Sequence, residues 1–577
     1  PEENRNGSIS FSFIGFITQT AKIGSDTQIN ITLKPDNAQA LNEVVVVGYG
    51  TQKRETVNSA INTDGSESIE NKPVLNPVQA LQGESPNLII QQSVLNPGST
   101  PLINVRGLST TGNNDPLLVI DGIVSTSPAD LSLINPNDIA SVTVLKDAGS
   151  AAIYGSRGAN GVLLVTTKSG KFNQKARITY NGNYGFQKPN VLVEKVSGAD
   201  NAYYKNEALV NSGLPPSFTP EQIQALAAQG NGTWDINHLL YNAPQLSQNV
   251  SISGGSDVNT YYVSAGYQNQ FSNFIGNGGE GSKFGYQKYN FRLNQTTVVG
   301  KFKFNGILDY TKSRNKTNSV GDNNIFADAN RVPYNFSWQD EQGNYLTNPI
   351  ASQYNEYGVL EKGGFNQADN DRIYGNLNAT YRFSNELTLT GVFGGTLQNN
   401  GNFFRRTQVD FLPAGVYGND RTTYDNNSKS HSFNTQVYLN YQKNINEHHF
   451  NGTFGVSSEL YSQRGFQLQR TLTDPVFGNS TSGTITDETN SYNSVTVQAN
   501  QLLSAFGRIN YDYANRYFLD FVFRQDASSK FAEGRRSGFF PSITAGWQLS
   551  KESFMEQFSN TVNNLKLRAS YGVVGNN

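Results

Sequence analysis

The chain has 577 residues, 44 basic against 46 acidic side chains, a net charge of −2 and only 36% apolar residues, with no cysteine. Balanced charge gives no electrostatic footprint for nucleic acid, and the absence of cysteine excludes disulfides and thiolate metal sites. Mean hydropathy is −0.50, and no run approaches the ~18 apolar residues of a spanning helix. A transmembrane barrel is equally hydrophilic, because only alternate side chains meet lipid.

Aromatic residues make up 11%, with 29 Tyr and 34 Phe, beside 55 Gly. Aromatics suit membrane-interface girdles and Gly suits turns, a bias that propellers and solenoids share. Both ends of the chain read as cut, since Pro1 opens it without an initiator Met and Asn577 closes it after a strand-like run.

Residues 1–40 carry two alternating runs, Ile9/Phe11/Phe13 and Ile29/Ile31/Leu33, separated by Gly24-Ser25-Asp26 as turn material. The segment is too short for a core of its own. Residues 41–50 contain Glu43-Val44-Val45-Val46-Val47 followed by Gly48-Tyr49-Gly50. Consecutive β-branched residues favour an extended segment, and a free edge can be captured by another sheet through main-chain hydrogen bonds. A last buried strand of the N-terminal domain is the competing reading.

Residues 51–172 mix short apolar runs with Gly, Pro and Asn, and predict a compact α+β unit. Pro73 to Gly83 reads as a short helix stopped by Gly83. Asn104-Val105-Arg106-Gly107 and Pro116 to Gly122 read as strands ending in turns, and Ser141 to Asp147 and Val162 to Lys168 as further strands. Between those last two, Ala148 to Gly161 has no terminal Gly-Lys-Ser/Thr and fails as a phosphate loop.

From residue 173 to 577 the period is two. Ile178/Tyr180/Gly182/Tyr184/Phe186 and Phe302/Phe304/Gly306/Leu308/Tyr310 exemplify about thirteen predicted strands. Short turns alternate with long polar connections at 190–244, 315–370, 399–430 and 463–499, the asymmetry of outer-membrane barrels. A Gly276-x-Gly278-x-x-Gly281 match lies before a strand instead of a helix, which predicts a flexible loop and no dinucleotide site. His448 and His449 fall on opposite strand faces and make no metal site. Asp487-Glu488 gives no glycosidase geometry. The residues point to no enzyme, no catalytic group and no cofactor.

The motifs resemble the SusC/RagA family of TonB-linked outer-membrane transporters. Val142-Thr143-Val144-Leu145-Lys146-Asp147-Ala148 with Ala151 to Val162 is similar to the family's closing plug signature, preceded in order by Asn104 to Gly107 and Val119 to Gly122. Ser251 to Gly255 with Tyr261 to Ser264, Arg524 to Phe531 and Leu565 to Asn576 resemble successive barrel blocks. The Gln525-Asp526-Ala527-Ser528 stretch departs from the family at a position assigned to a loop.

The resemblance implies an all-β, 22-stranded transmembrane barrel with an α+β plug in its lumen, the C-terminal strands lying beyond this chain. Residues 1–40 would be the end of a carboxypeptidase-regulatory-like sandwich or an ordinary edge of the next domain. Residues 41–50 would be the TonB box, 51–172 the plug and 173–577 the N-terminal part of the barrel. It further implies TonB (with ExbB/ExbD) and a SusD-like lipoprotein as partners, a dimer of such pairs, lipid and lipopolysaccharide around the wall, and a Bacteroidota-type cell. The implied activity is import of an oligosaccharide or a peptide. The competing role is a non-transporting subunit or scaffold of a larger outer-membrane assembly, and a soluble sandwich or propeller is a third reading.

Arg106 and Arg157 are candidates for a plug–barrel lock, because an enclosed guanidinium needs carboxylate partners. The alternative is that each braces its own Gly turn. Tyr354, Tyr357, Phe403 and Phe404 would either stack on sugars or belong to a girdle.

Overall fold

The computed structural model describes the chain outside residues 1–7, 12–18, 23–30, 34–43, 71, 73, 93–95, 108–109, 193, 230–231, 280, 335, 348–354, 472–491, 559–560 and 577. Two short antiparallel pairs come first, β1 (Ser8–Phe11) with β2 (Gln19–Lys22) and β3 (Val44–Val46) with β4 (Thr51–Lys53). The expected strand through Ile31 and Leu33 is not one: residues 31–33 have no regular structure. Alternation alone does not make a strand without a partner to supply its hydrogen bonds.

The plug-like unit contains β5 (Ile61–Gly65), β6 (Leu88–Gln91), β7 (Leu102–Val105), β8 (Leu117–Ile120), β9 (Ile123–Val124), β10 (Ile139–Leu145) and β11 (Val162–Thr167). Five of these form a sheet in the order β5-β10-β11-β8-β9, with β11 and β8 parallel, while β6 and β7 make a separate hairpin. The short helix Pro77–Ala80 is capped by the Asn76 side chain, which accepts from Val78 N–H, and the chain turns away at Gly83 (φ +81°). Val142, Val144, Leu118, Ile120, Leu163 and Val165 bury the sheet against Ile69, Val78 and Leu81.

Thirteen antiparallel strands follow as one sheet, each paired with the next: β12 (Arg177–Gln187), β13 (Ala243–Gly255), β14 (Asn259–Phe271), β15 (Gly285–Val299), β16 (Phe302–Asn318), β17 (Gly364–Arg382), β18 (Leu387–Arg406), β21 (Thr422–Ile445), β22 (His448–Thr471), β23 (Tyr492–Tyr513), β24 (Tyr517–Ser528), β25 (Ser537–Gln548) and β26 (Lys566–Gly572). The small hairpin of β19 (Val409–Asp410) and β20 (Val416–Tyr417) sits between β18 and β21. The wall wraps around the plug, so that Ile307, Tyr374 and Val392 from its inner face join the plug's own core.

The outward face carries a continuous apolar belt. Tyr310, Ile373 and Leu397 are exposed register neighbours at its upper edge, and Phe302, Tyr381 and Leu389 are register neighbours near the lower one. Along β16, β17 and β18 the belt covers about the 9–11 residues a tilted strand needs to cross a bilayer. Aromatic contacts gather by the short turns: Phe302–Tyr381 at 4.7 Å, Tyr381–Phe383 at 4.8 Å and Tyr517–Trp547 at 6.4 Å between ring centroids. Such a ring anchors a barrel at the headgroup level. No helix among the described residues is long and apolar enough to span a membrane.

Five further sequence expectations need correction. Several strands run further than their alternation indicated: β21 and β22 have 24 residues each, far more than a bilayer requires. Their upper parts stand above the belt with polar residues on both faces, so a period-two apolar pattern cannot mark them. The long connections at 190–244, 315–370 and 399–430 are also not simply polar loops. Trp234, Ile236, Phe274, Phe284, Ile325, Trp338, Leu360 and Phe411 bury one another in a folded cap over the long-loop rim, with Trp234 and Trp338 stacked at 4.0 Å.

Gly276 and Gly278 are packed into this cap. Gly278 N–H donates to Leu360 O and Gly364 N–H donates to Gly278 O, and a Cβ at 276 would lie 2.2 Å from Leu360 O. Glycine here permits backbone-to-backbone contact and not free motion. Tyr357 and Phe403 pack partly buried against the same core, and Phe404 is buried, so none is an open sugar platform; Tyr354 lies outside the described residues. Finally, Gln525 to Ser528 belong to β24 and not to a loop.

Candidate functional site

The inner face of the wall holds the plug by charged side chains reaching backbone and carboxylates. The centre of the first cluster is the plug turn Asp121-Gly122, whose φ values of +48° and +86° point its carbonyls and carboxylate outward. Arg292 on β15 donates through Nη2 to Asp121 at 2.6 Å and to Thr167 Oγ1 at 2.5 Å, and through Nη1 to Asp309 at 3.2 Å. Tyr374 donates to Ile120 O at 2.8 Å, Asn376 to Asp121 O at 2.8 Å and Gln436 to Gly122 O at 3.1 Å. Three wall strands, β15, β17 and β21, therefore converge on one turn, and Asp309 of β16 backs the Arg292 side chain. Arg292 and Asp309 are fully buried, which only such mutual pairing sustains.

A second cluster centres on Arg524 of β24, also fully buried. Its Nε donates to Asp526 at 2.7 Å, its Nη1 to Ile153 O and the Tyr49 hydroxyl at 3.0 Å each, and its Nη2 to Ser504 at 2.8 Å. Asp526 in turn accepts from Ser156 N–H at 2.8 Å. Gly155 sits against this pair at φ +54° and ψ −117°, where an added Cβ would lie 2.5 Å from Asp526 Oδ2. The Tyr154-Gly155-Ser156-Arg157 sequence is thereby explained: the glycine lets backbone meet a buried ion pair.

Arg157 forms an ion pair at 2.5 Å with Glu459 of β22, joining plug to wall. Arg106 is exposed in its turn at φ +63° and makes no ion pair among the described residues; its N–H donates to Asn87 O. Sequence reasoning missed Arg292, Asp309, Arg524 and Asp526. Their available signal was a charge at a position that alternation turns toward the lumen, as in Asn290-Phe291-Arg292-Leu293-Asn294.

The valine segment is not a free strand here. β3 pairs with β4 in register Val45↔Gln52, and the Val45 and Val47 side chains are buried with Val57. Arg508 of β23 donates to Val47 O at 2.5 Å, and Tyr49 stacks on Phe506 at 3.9 Å. Glu43 lies outside the described residues.

Above the plug a cavity of about 740 Å³ opens between plug residues such as Asn113, Ser125 and Asp130 and the inner faces of β16 to β23. Its wall side is a band of amides and hydroxyls in register, Gln398–Ser430–Gln463–Gln498, with the Arg157–Glu459 pair at its floor. Amides donate and accept at once, so the band can bind hydroxyls or peptide groups without a net charge. His448 and His449 bond separately, to the Tyr511 hydroxyl and Asp512, and no metal-holding cluster occurs among the described residues.

Residues 53–162 match the TonB-dependent receptor plug domain. Over 98% of its length the chain is 34% identical to TonB-dependent receptor P26 of Formosa agariphila. It is 28% identical to TonB-dependent receptor SusC of Bacteroides thetaiotaomicron, again over 98% of its length. The chain carries the TonB-dependent receptor plug domain and is similar to TonB-dependent receptors over nearly all of its length. It spans 56% of the length of each of those two relatives. Its fold is also that of the RagAB peptide importer in the open-open state, with a TM-score of 0.78 at 24% identity, covering 92% of this chain and 61% of that one. The receptor is thus an outer-membrane β-barrel protein, and its relatives are receptors and transporters, not enzymes.

Proposed function

We propose that this receptor imports a nutrient, an oligosaccharide or a peptide, across the outer membrane under TonB drive. The observation that carries the reading is a folded plug under a polar chamber, with the extended segment Val44–Val46 joined directly to the plug's first strands. In this reading residues 41–50 are the TonB box, 51–172 the plug, 173–577 part of a 22-stranded wall, and 1–40 the end of a small sandwich. TonB, powered through ExbB/ExbD, adds a strand to Glu43–Val47 and pulls. Arg508 and the Arg524–Asp526 cluster then release in turn, each charged hydrogen bond contributing about 1.5–3 kcal/mol. A SusD-like lipoprotein closes the chamber from outside, as the likeness to SusC and to the RagAB importer suggests.

Deletion of Val44–Val47 from the full-length receptor is expected to abolish energised uptake while the barrel still inserts in the outer membrane. Undiminished uptake would refute the TonB-box assignment. A strain lacking the receptor yet importing normally would identify a scaffold subunit instead.

A further inference from the structure

A second cavity, of about 630 Å³, lies beside the first, between plug residues such as Leu75, Gln79 and Asn96, the inner faces of β12 to β15, and the cap. The two share Gly98, Ser132 and Tyr286 in their linings. Gly98 (φ +70°) rests on the Tyr286 ring so closely that a Cβ would fall 2.2 Å from Cδ2. The plug loop is pinned there from both sides: Gly98 N–H donates to Gln270 at 3.3 Å and Asn315 donates to Pro97 O at 3.0 Å. A Tyr ring on a glycine therefore partitions the lumen, and the buried Ser132 Oγ beside it has no hydrogen-bond partner among the described residues.

The two compartments differ in chemistry. The first is lined mainly by amides and hydroxyls. The second has an apolar side, Leu75, Leu240, Phe274 and Phe326, facing an amide side with Gln245 and Gln270. Its two charged side chains, Lys288 and Asp322, are each held by hydrogen bonds within the protein. The Lys288 ammonium is taken up by Ser132 O at 2.9 Å and Ile134 O at 3.3 Å. The Asp322 carboxylate accepts from Asn318, and burial pushes its pKa up to about 6. The roof is the packed cap, so the compartment is pre-formed, which is the usual condition of a small-molecule site.

We infer that this side compartment is a second binding site, selecting an uncharged group that presents one apolar face and one hydrogen-bonding edge, such as a sugar ring with an aryl or acyl substituent. The inference rests on the import reading in taking that group to be part of the imported molecule. Leu75 and Phe274 contact the apolar face, Gln245 and Gln270 the polar edge, and Tyr286 swings from Gly98 to join the compartments.

This chain has no cysteine, so single thiols introduced into it report on the compartment once labelling of the unsubstituted receptor is subtracted as the blank. In the purified full-length receptor, Leu75→Cys and Phe326→Cys each probe the side compartment, and Asn400→Cys the main chamber. Benzyl, trimethylammonioethyl and sulfonatoethyl methanethiosulfonates are applied, each rate being normalised to that with free 2-mercaptoethanol. Neutral benzyl labelling is expected to exceed both charged reagents at least tenfold at positions 75 and 326, and by less than threefold at position 400. Millimolar phenyl β-glucoside is expected to slow labelling at positions 75 and 326 at least fivefold. Equal normalised rates, no labelling, or no protection by the glucoside overturns the proposal. Labelling needs no transport, so its failure is distinct from failure of the import reading, which only uptake tests.

Discussion

Replacing Arg292 by Met removes a guanidinium while keeping much of its volume. Asp121 and Asp309 then remain in the interface without the cation that spans them at 2.6 and 3.2 Å. Breaking a buried pair from one side costs about 3–5 kcal/mol. Arg372 still stands 3.5 Å from Asp309, which places the loss near the lower end, about 3 kcal/mol. That corresponds to roughly a hundredfold rise in the population of the locally opened turn. The reporter is the Thr167 amide, which donates to Asp121 Oδ1 at 2.8 Å. Its hydrogen–deuterium exchange in the full-length receptor is expected to accelerate about a hundredfold, with amides of the cap unchanged. Adding Asp121→Asn is expected to restore most of the protection, since it removes the stranded charge. Exchange at Thr167 within threefold of the parent would show that the cluster does not hold the turn.

Gly155→Ala places a Cβ 2.5 Å from Asp526 Oδ2 at φ +54°, whereas Gly107→Ala, at φ +85°, meets no atom within 4 Å. Both incur the backbone cost of about 1–3 kcal/mol; only the first also disrupts the Arg524–Asp526 pair, so its plug is expected to become protease-sensitive at a lower temperature. Equal sensitivity of the two variants would exclude the contact as the cause. In the cap, burial raises the Asp322 carboxyl from its ordinary value to about 6. A raised acid favours the folded state below its ordinary pKa and loses that advantage as pH climbs through about 6. Cap stability, followed by quenching of the stacked Trp234 and Trp338, is expected to fall by up to about 3 kcal/mol between pH 4 and pH 8. Asp322→Asn is expected to flatten that profile; an unchanged slope would refute the assignment.

The wall was legible because lipid imposes a rule on each strand separately. Phe302, Phe304, Leu308 and Tyr310 fall on one face of their strand whatever their neighbours do, so about thirteen strands could be counted before any pairing was known. The plug motifs were legible for a similar local reason: Asp121-Gly122 and Arg106-Gly107 need left-handed backbone. The upper reaches of β21 and β22 escaped notice because water and lumen are both polar, and no period survives.

What the chain order alone determined, then, was the plug motifs, the approximate number of wall strands and the side each turns to the membrane. Tertiary structure decided which charges meet. Arg292 and Asp121 are 171 positions apart, and Arg524 and Tyr49 are 475 apart. A lone Arg or Asp in an inward register looks like any lumen-facing residue until the plug is seated against it. The same holds for the cap, whose core is assembled from Trp234, Phe274, Trp338 and Phe411, each in a different connection. Burial is a property of the assembled surface, and no single segment carries enough apolar area to announce it.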